Sequence, residues 1–320
     1  MTGMVENKFR RRFAVLDCGT NTFNLVVAEE DGKSFRTLYQ GKIPVKLGKN
    51  GLNARELAPD AIQRAEKAFT EYKTKIDEFQ PEEIYISGTS AVRSARNGYV
   101  VQQACMEILG QPMHIISGID EAELIFRGVL MSGVLNDLNN ALIVDIGGGS
   151  CEFIIYAHKA PVYKNSFEVG VSRLTDAFQT QDLPQPQQLS KMKGYLEEQL
   201  LPLLDLLAEY KPGVLVGSSG TFDTFEDMLK VTGKLAVKEK NWSAYSPESC
   251  SRLCEDLLAS SLEERLRMPG ITPFRAEMLP AAAQLVLLLM EKNTFRQVRT
   301  CHFAIKEGIL FSLMHHKRLP

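Results

Sequence analysis

The sequence predicts an α/β fold of two duplicated halves with a cleft between them, and three observations carry that prediction. The first is length: 320 residues exceed what one core usually fills, so two domains are expected. The second is a repeated signal, an apolar run that ends in aspartate and enters a turn of glycine and small hydroxyl residues. The third is that each copy is followed by helical spacing and a further strand-and-glycine turn, the alternation that marks an α/β domain.

The first copy is Phe13-Ala-Val-Leu-Asp17, which leads into Cys18-Gly-Thr-Asn-Thr22 before apolar residues resume at Phe23. The second is Ala141-Leu-Ile-Val-Asp145, leading into Ile146-Gly-Gly-Gly-Ser150 and a new apolar run from Cys151. Each reads as two strands joined by a tight turn. Downstream, Glu83-Ile-Tyr-Ile-Ser87 enters Gly88-Thr-Ser90, and Val214-Leu-Val216 enters Gly217-Ser-Ser-Gly-Thr221. Asp17 to Gly88 is 71 positions and Asp145 to Gly217 is 72, so the halves repeat in step. Helical spacing fills Pro59–Phe79, after a Pro-Asp start, and 189–210. The Gln- and Pro-rich stretch 180–188 reads as a loop. The join falls within 127–140, giving halves at 1–128 and 129–320, with the closing helix of about 305–320 free to fold back on the first half.

Composition narrows the function classes. Hydrophobic residues make up 44% and charged residues 24%, as in ordinary globular proteins. A net charge of −2 gives no general pull toward a nucleic acid polymer or a membrane, so a polyanionic ligand would need a local basic groove. The apolar stretch 281–290 is too short for a bilayer, which takes about 20 helical residues, and reads as a buried helix. Lys8, Arg10, Arg11 and Arg12 read as a solvated lead-in. The six cysteines are scattered and no signal peptide is visible, so reduced thiols and a cytoplasmic location are expected. Cys250 and Cys254 lack the further ligands of a zinc site and read as neighbours one helical turn apart.

The turns suit phosphate. Glycines after a strand let consecutive N–H groups point into one concavity, which binds anions without a charged side chain. Thr20 and Thr22, Ser150, and Ser219 and Thr221 add short donors to the three turns. Turns from both halves facing each other fit a chain of phosphates better than a single ester. An aspartate at such a strand end is a natural magnesium anchor, Asp145 first, then Asp17 and Glu152. It can equally cap its own turn. Arg93 lies one helical turn beyond Gly88-Thr89, where a guanidinium can fork two phosphoryl oxygens or simply face solvent. Asp120, Glu121 and Glu123 open an amphipathic helix; acids there complement the helix dipole, or one of them activates water.

At these residues the sequence resembles the exopolyphosphatase and guanosine pentaphosphate phosphatase (Ppx/GppA) family, within the actin, sugar-kinase and heat-shock chaperone superfamily. The matching segments are Asp17-Cys-Gly-Thr-Asn21, Gly88-Thr-Ser-Ala-Val-Arg93, Ile116-Ser-Gly-Ile-Asp-Glu-Ala122, Asp145-Ile-Gly-Gly-Gly-Ser150, Gly217-Ser-Ser-Gly-Thr221 and Ile305-Lys-Glu-Gly-Ile-Leu310. The resemblance implies two actin-like (ribonuclease H-like) domains around an active-site cleft. It implies release of terminal phosphate from polyphosphate or pppGpp by in-line attack of water. Glu121 would be the catalytic carboxylate and Asp145 would work with Mg2+ or another hard divalent cation. By the same likeness Thr20, Asn21, Arg93, Gly148, Gly149 and Ser150 would contact phosphate, and the chemistry of the turns adds Thr22, Gly147, Ser219, Gly220 and Thr221 as candidates. A homodimer is implied by the same likeness. Longer members carry further domains that are not expected here. Asp120 replaces the usual first glutamate, and Glu123 stands where a base is common, an exchange expected to make the neighbouring field more acidic. An ATP-binding kinase or actin-like ATPase, or a non-catalytic phosphonucleotide-binding module, would use the same turns.

Overall fold

The computed structural model describes residues 10–32, 34–49 and 51–320. In the first half the order is β1 (Arg12–Cys18), β2 (Thr22–Asp31), β3 (Ser34–Pro44), α1 (Pro59–Phe79), β4 (Glu83–Gly88), α2 (Ser90–Ser94), α3 (Gly98–Leu109), β5 (Met113–Ile115) and α4 (Gly118–Ser132). The second half opens the same way, with β6 (Asn140–Ile146), β7 (Cys151–Ala157), β8 (Ala160–Phe167), α5 (Val171–Phe178), α6 (Pro186–Gln199) and α7 (Leu201–Tyr210). It continues through β9 (Val214–Ser218), α8 (Ser219–Val231), β10 (Val237–Lys238), β11 (Trp242–Tyr245), α9 (Pro247–Leu258), α10 (Leu262–Arg267), α11 (Leu279–Lys292), β12 (Gln297–Cys301) and α12 (Ile305–Met314).

The two sheets share one topology. The first has the strand order β3-β2-β1-β4-β5, and the second, β10-β11-β12-β9-β6-β7-β8, holds the equivalent path β8-β7-β6-β9-β12. In each, an antiparallel meander is extended by parallel strands beside its first strand. The duplication read from the aspartate hairpins is thus a duplication of whole sheets, and the chain has the two-domain actin-like architecture. β3 and β8 give no clear sequence signal because both are only partly buried.

Strand parity positions the site. Ala14, Leu16 and Cys18 face the outer core of the first half, whereas Phe13 and Val15 face a middle core shared with α4 and α12. Leu142 and Val144 face the outer core of the second half, whereas Ala141 and Ile143 join that same middle core. Because strand side chains alternate, Asp17 falls in step with Phe13 and Val15, and Asp145 with Ala141 and Ile143. Both aspartates therefore point inward, toward the space between the sheets.

That space is held by α4 and α12, the helices that follow β5 and β12. They cross at Gly128 and Gly308: a Cβ on Gly128 would sit 2.1 Å from the Ala304 carbonyl oxygen, one on Gly308 1.8 Å from that of Leu124, and each 3.1 Å from the other glycine's amide nitrogen. Only glycine permits this approach. α12 also packs on β1 and β2 of the first half. α4 starts at an N-cap, Ser117, which accepts from Asp120 N–H, and ends at left-handed Gly133; it extends past the 128/129 division expected from the sequence.

Other expectations need adjustment. The 189–210 helix is two helices, α6 and α7, broken at Leu200, because Pro202 has no N–H to continue the ladder. α6 begins at Pro186, inside the stretch read as a loop. Arg10, Arg11 and Arg12 pair with Glu29, Asp31 and Glu83 rather than merely facing solvent, and Lys8 lies outside the described residues. The 281–290 run is the buried middle of α11, and no helix among the described residues is long and apolar enough to cross a membrane. All six cysteines are buried free thiols.

Candidate active site

The two aspartate hairpins meet. A Cβ on Gly148 would lie 2.6 Å from Asn21 Nδ2, and one on Gly149 2.5 Å from Ser90 Oγ, so the second turn closes directly onto the first. The carbonyls of Gly147, Gly148 and Gly149 are taken by the amides of Val171, Ser172 and Gly170 at the start of α5. The N–H groups of Gly148 and Gly149, and of Thr20 and Asn21 opposite, donate to no protein acceptor among the described residues. Thr20 and Gly149 are buried and Asn21 and Gly148 half-buried; amides without acceptors at such positions are uncommon, and a concavity lined by them is a place for an anion.

One cavity gathers nearly all the residues singled out from the sequence. Its walls include Asp17, Thr20, Asn21, Thr22, Glu121, Asp145, Gly147, Gly148, Gly149, Ser150, Glu152, Ser219, Gly220 and Thr221. Ser219 opens α8 in the left-handed conformation at φ 64° and gives its hydroxyl to Asp145 at 2.6 Å. A non-glycine residue holds that conformation at a cost, and such strain concentrates at functional sites. Of the three acids that open α4, Glu121 alone lines the cavity. Asp120 accepts from Ser117 at 2.6 Å, closing the helix cap.

Two placements differ from expectation. Arg93 does not line the cavity; it stands behind Glu121, donating to that carboxylate at 2.9 Å and to the Ile116 carbonyl at 2.9 Å. Glu123 does not acidify the site, because Lys164 at 2.5 Å and Arg127 at 2.8 Å neutralise it and hold its carboxyl below the usual range against burial. Lys164 lies on β8, 41 residues away, out of reach of any local sequence pattern.

The electrostatics are those of crowded, desolvated carboxylates. Burial raises Asp17 to about 6, with Asp145 adding repulsion and Lys306 opposing it. Burial lifts Glu121 to about 7 against the pull of Arg93. Asp145 is raised by burial, although the Ser218 and Ser219 hydroxyls offset part of it, and Glu152 is held well above its ordinary value by burial and by Glu121. Cations that the sequence did not single out face them. Lys42, Arg275 and Lys306 line the cavity, and with them come Asp223 and His302. Lys42 is pushed down to about 8 by burial and by Arg275 beside it. Burial alone would also depress Lys306, but Glu307, Asp17 and Asp223 carry it above its ordinary value. The local basic groove that a polyanion requires is therefore present despite the net charge of −2. Lys306 sits in the Ile305–Leu310 match and was readable in principle; Lys42 and Arg275 come from an edge strand and a loop with no motif.

Asp145, Asp17 and Glu152 do not form a ready-made metal cluster, and among the described residues no three His, Cys, Asp or Glu side chains are grouped to do so. Asp145 Oδ2 is occupied by two serine hydroxyls and Glu152 Oε1 by Ser166 at 2.7 Å. Asp17 is different: its Oδ1 is buried without a hydrogen-bond partner. An orphaned carboxylate oxygen beside a second carboxylate fits a magnesium ion, which needs only one or two carboxylates when substrate phosphates and water complete its shell.

A model of the Ppx/GppA phosphatase family matches residues 25–317. The chain is 26% identical over 307 residues to a guanosine-5'-triphosphate,3'-diphosphate pyrophosphatase of Vibrio vulnificus, covering 96% of this chain and 60% of that longer protein. It superposes on the crystal structure of an exopolyphosphatase from Cytophaga hutchinsonii with TM-score 0.91 and 32% identity, covering 97% and 99% of the two chains. A Ppx/GppA family structure from Aquifex aeolicus gives TM-score 0.77 at 20% identity over 97% and 99% of the chains, a likeness of fold. With the family match spanning most of its length, the chain belongs to the Ppx/GppA phosphatase family.

Proposed function

We propose that this chain hydrolyses the terminal phosphoanhydride bond of a phosphate chain, inorganic polyphosphate or pppGpp. The observation that carries the reading is the convergence of acceptor-free turn amides from both halves on one cavity whose wall holds Glu121. The turns bind the phosphate oxygens, while Lys42, Arg275 and Lys306 supply the positive charge a polyanion needs. Glu121, raised to about 7, is poised to take a proton from water near neutral pH. Its pairing with Arg93 through Nη1 fixes the carboxylate from behind and leaves Nη2, which makes no hydrogen bond among the described residues, for a phosphoryl oxygen that reaches past Glu121. Asp17 and Asp145 are the residues that would hold a divalent cation, which when bound would neutralise charge on the phosphate chain. The Vibrio relative is a guanosine phosphate pyrophosphatase and the Cytophaga relative an exopolyphosphatase, which keeps both substrates within the reading.

Phosphate release from polyphosphate, pppGpp and ATP, measured side by side with magnesium and no acceptor, tests the proposal. Turnover of either of the first two supports it. Phosphate transfer only in the presence of an acceptor would make the chain a kinase, and tight binding with no turnover would make it a sensor.

A further inference from the structure

A carboxylate outside the motif segments read from the sequence ties two arginines together at the edge of the cleft. Glu168 follows β8 and precedes α5, beside the second glycine turn. One of its oxygens lies 3.7 Å from Arg93 Nη2, and the other 2.5 Å from Arg173 Nη2 and 3.5 Å from Ser90 Oγ, a residue of the cavity wall. Arg173 also donates through Nε to the Gly149 carbonyl at 3.2 Å and reaches across to the Leu52 carbonyl at 3.2 Å. Two guanidiniums and a hydroxyl thus converge on one anionic group next to the turn that is suited to phosphate.

The two carboxylates on Arg93 are not equivalent. The Glu121 side chain is 11% exposed and belongs to a buried pair; the Glu168 side chain is 52% exposed. Exposed ion pairs are held weakly against solvent and competing anions, whereas separating a buried pair leaves a charge stranded. A phosphoryl group, with more charge and three oxygens, would compete better against the exposed partner than against the buried one.

Resting on the reading of the cleft as a phosphate-chain site, we propose that Arg173 is a second phosphoryl-binding arginine and that Glu168 is an internal anion which the substrate displaces. Glu168 thereby sets affinity: it keeps both guanidiniums oriented while the cleft is empty, and its charge opposes weakly competing anions.

The test is calorimetric titration of the full chain with methylenediphosphonate, a non-hydrolysable P–C–P anion, in magnesium buffer. Removing one negative charge a few ångströms from a multiply charged anion in Glu168→Gln is expected to tighten binding about tenfold. Arg173→Gln is expected to weaken it about tenfold, and the gain from Glu168→Gln should shrink below about twofold in the double variant, as coupled neighbours require. Arg173→Lys, which keeps the charge, should retain more affinity than Arg173→Gln. Equal affinity of Glu168→Gln and the wild type would overturn the role of Glu168. Equal loss in both Arg173 variants would mark that residue as a clamp on the Leu52 loop and overturn its role. A wild-type chain that binds no methylenediphosphonate would overturn the phosphate-chain reading itself, and the inference with it.

Discussion

The two halves bring the same hairpin to the cleft and finish it differently. Asp145 stands opposite Glu152 across its antiparallel pair and beside Ser218 on the parallel side; Asp17 stands opposite Asn24 and beside Ser87 in the equivalent places. In the second half the pieces are joined, Ser218 and Ser219 both donating to Asp145 Oδ2 at 3.0 and 2.6 Å. In the first half they are not: Asp17 Oδ1 and Ser87 Oγ are both buried without partners, and Asn24 reaches Asp17 only at 3.4 Å. A buried unpartnered polar atom costs about 1–3 kcal/mol. Duplication preserved the backbone, and the copies diverged in which one satisfies its own carboxylate. The unsatisfied copy is where a ligand has most to offer.

The helices that follow the final strands diverge as well. The first turn of α4 supplies Glu121 and the first turn of α12 supplies Lys306, a carboxylate and an ammonium facing one cavity from the starts of equivalent helices. The largest expected effect lies here. Glu121→Gln should reduce turnover by a factor on the order of 10²–10⁴ while binding survives, whereas Asp120→Asn and Glu123→Gln keep most activity. Steady-state kinetics with a parallel binding assay separates these outcomes; an inactive Asp120→Asn chain would move the acid to the other residue. Next comes Arg93→Lys, expected to lose about 10³ in turnover, because the lysine retains charge without the fork. Near-normal rates would reduce Arg93 to a support for the Ile116 carbonyl.

The pH profile sharpens the contrast between cleft and surface. Glu121 must be ionised to accept a proton, so turnover should rise with pH through a limb near 7, and Glu121→Gln should abolish that limb. Stability runs the other way. A carboxyl whose folded pKa is raised keeps its proton longer in the fold than in the unfolded chain, so its contribution is full below the unfolded value and is lost as pH rises through the folded one. With Asp17 at about 6 and Glu121 at about 7, the melting temperature measured with chelator should fall between about pH 5 and 8. A rise over that range would contradict the assignment.

The smallest effect tests the comparison itself. In chelator, Asp17→Asn should raise the melting temperature by about 2–4 °C, since it removes a desolvated, unsatisfied charge, whereas Asp145→Asn should leave it unchanged or lower it. Differential scanning calorimetry reads both. Equal shifts would mean that the two copies are energetically alike and that the unpartnered oxygen has no significance.

Much of this was legible in the sequence because duplication writes itself locally. An aspartate, a glycine turn and a matched interval reveal a strand pair wherever they occur, and α1 runs from Pro59 to Phe79 as its spacing predicts. What sequence could not show is charge assembled across the fold. Lys164 cancels Glu123 from another strand, Lys42 enters from the edge of the first sheet, and Glu168 meets Arg93 only because β8 ends beside α2. None of these pairs shares a spacing. The same limit applies to Arg93, which is separated from the cavity by the Glu121 carboxylate that it holds.

The central claim is that water attacks the terminal phosphorus of a phosphate chain in the cleft. Turnover of polyphosphate and of pppGpp in ¹⁸O-enriched water, with products separated and weighed by mass spectrometry, tests it most directly. The account predicts one solvent oxygen in the released orthophosphate and none in the shortened chain. Label in the shortened chain, or release that requires an acceptor and carries no label, would contradict it.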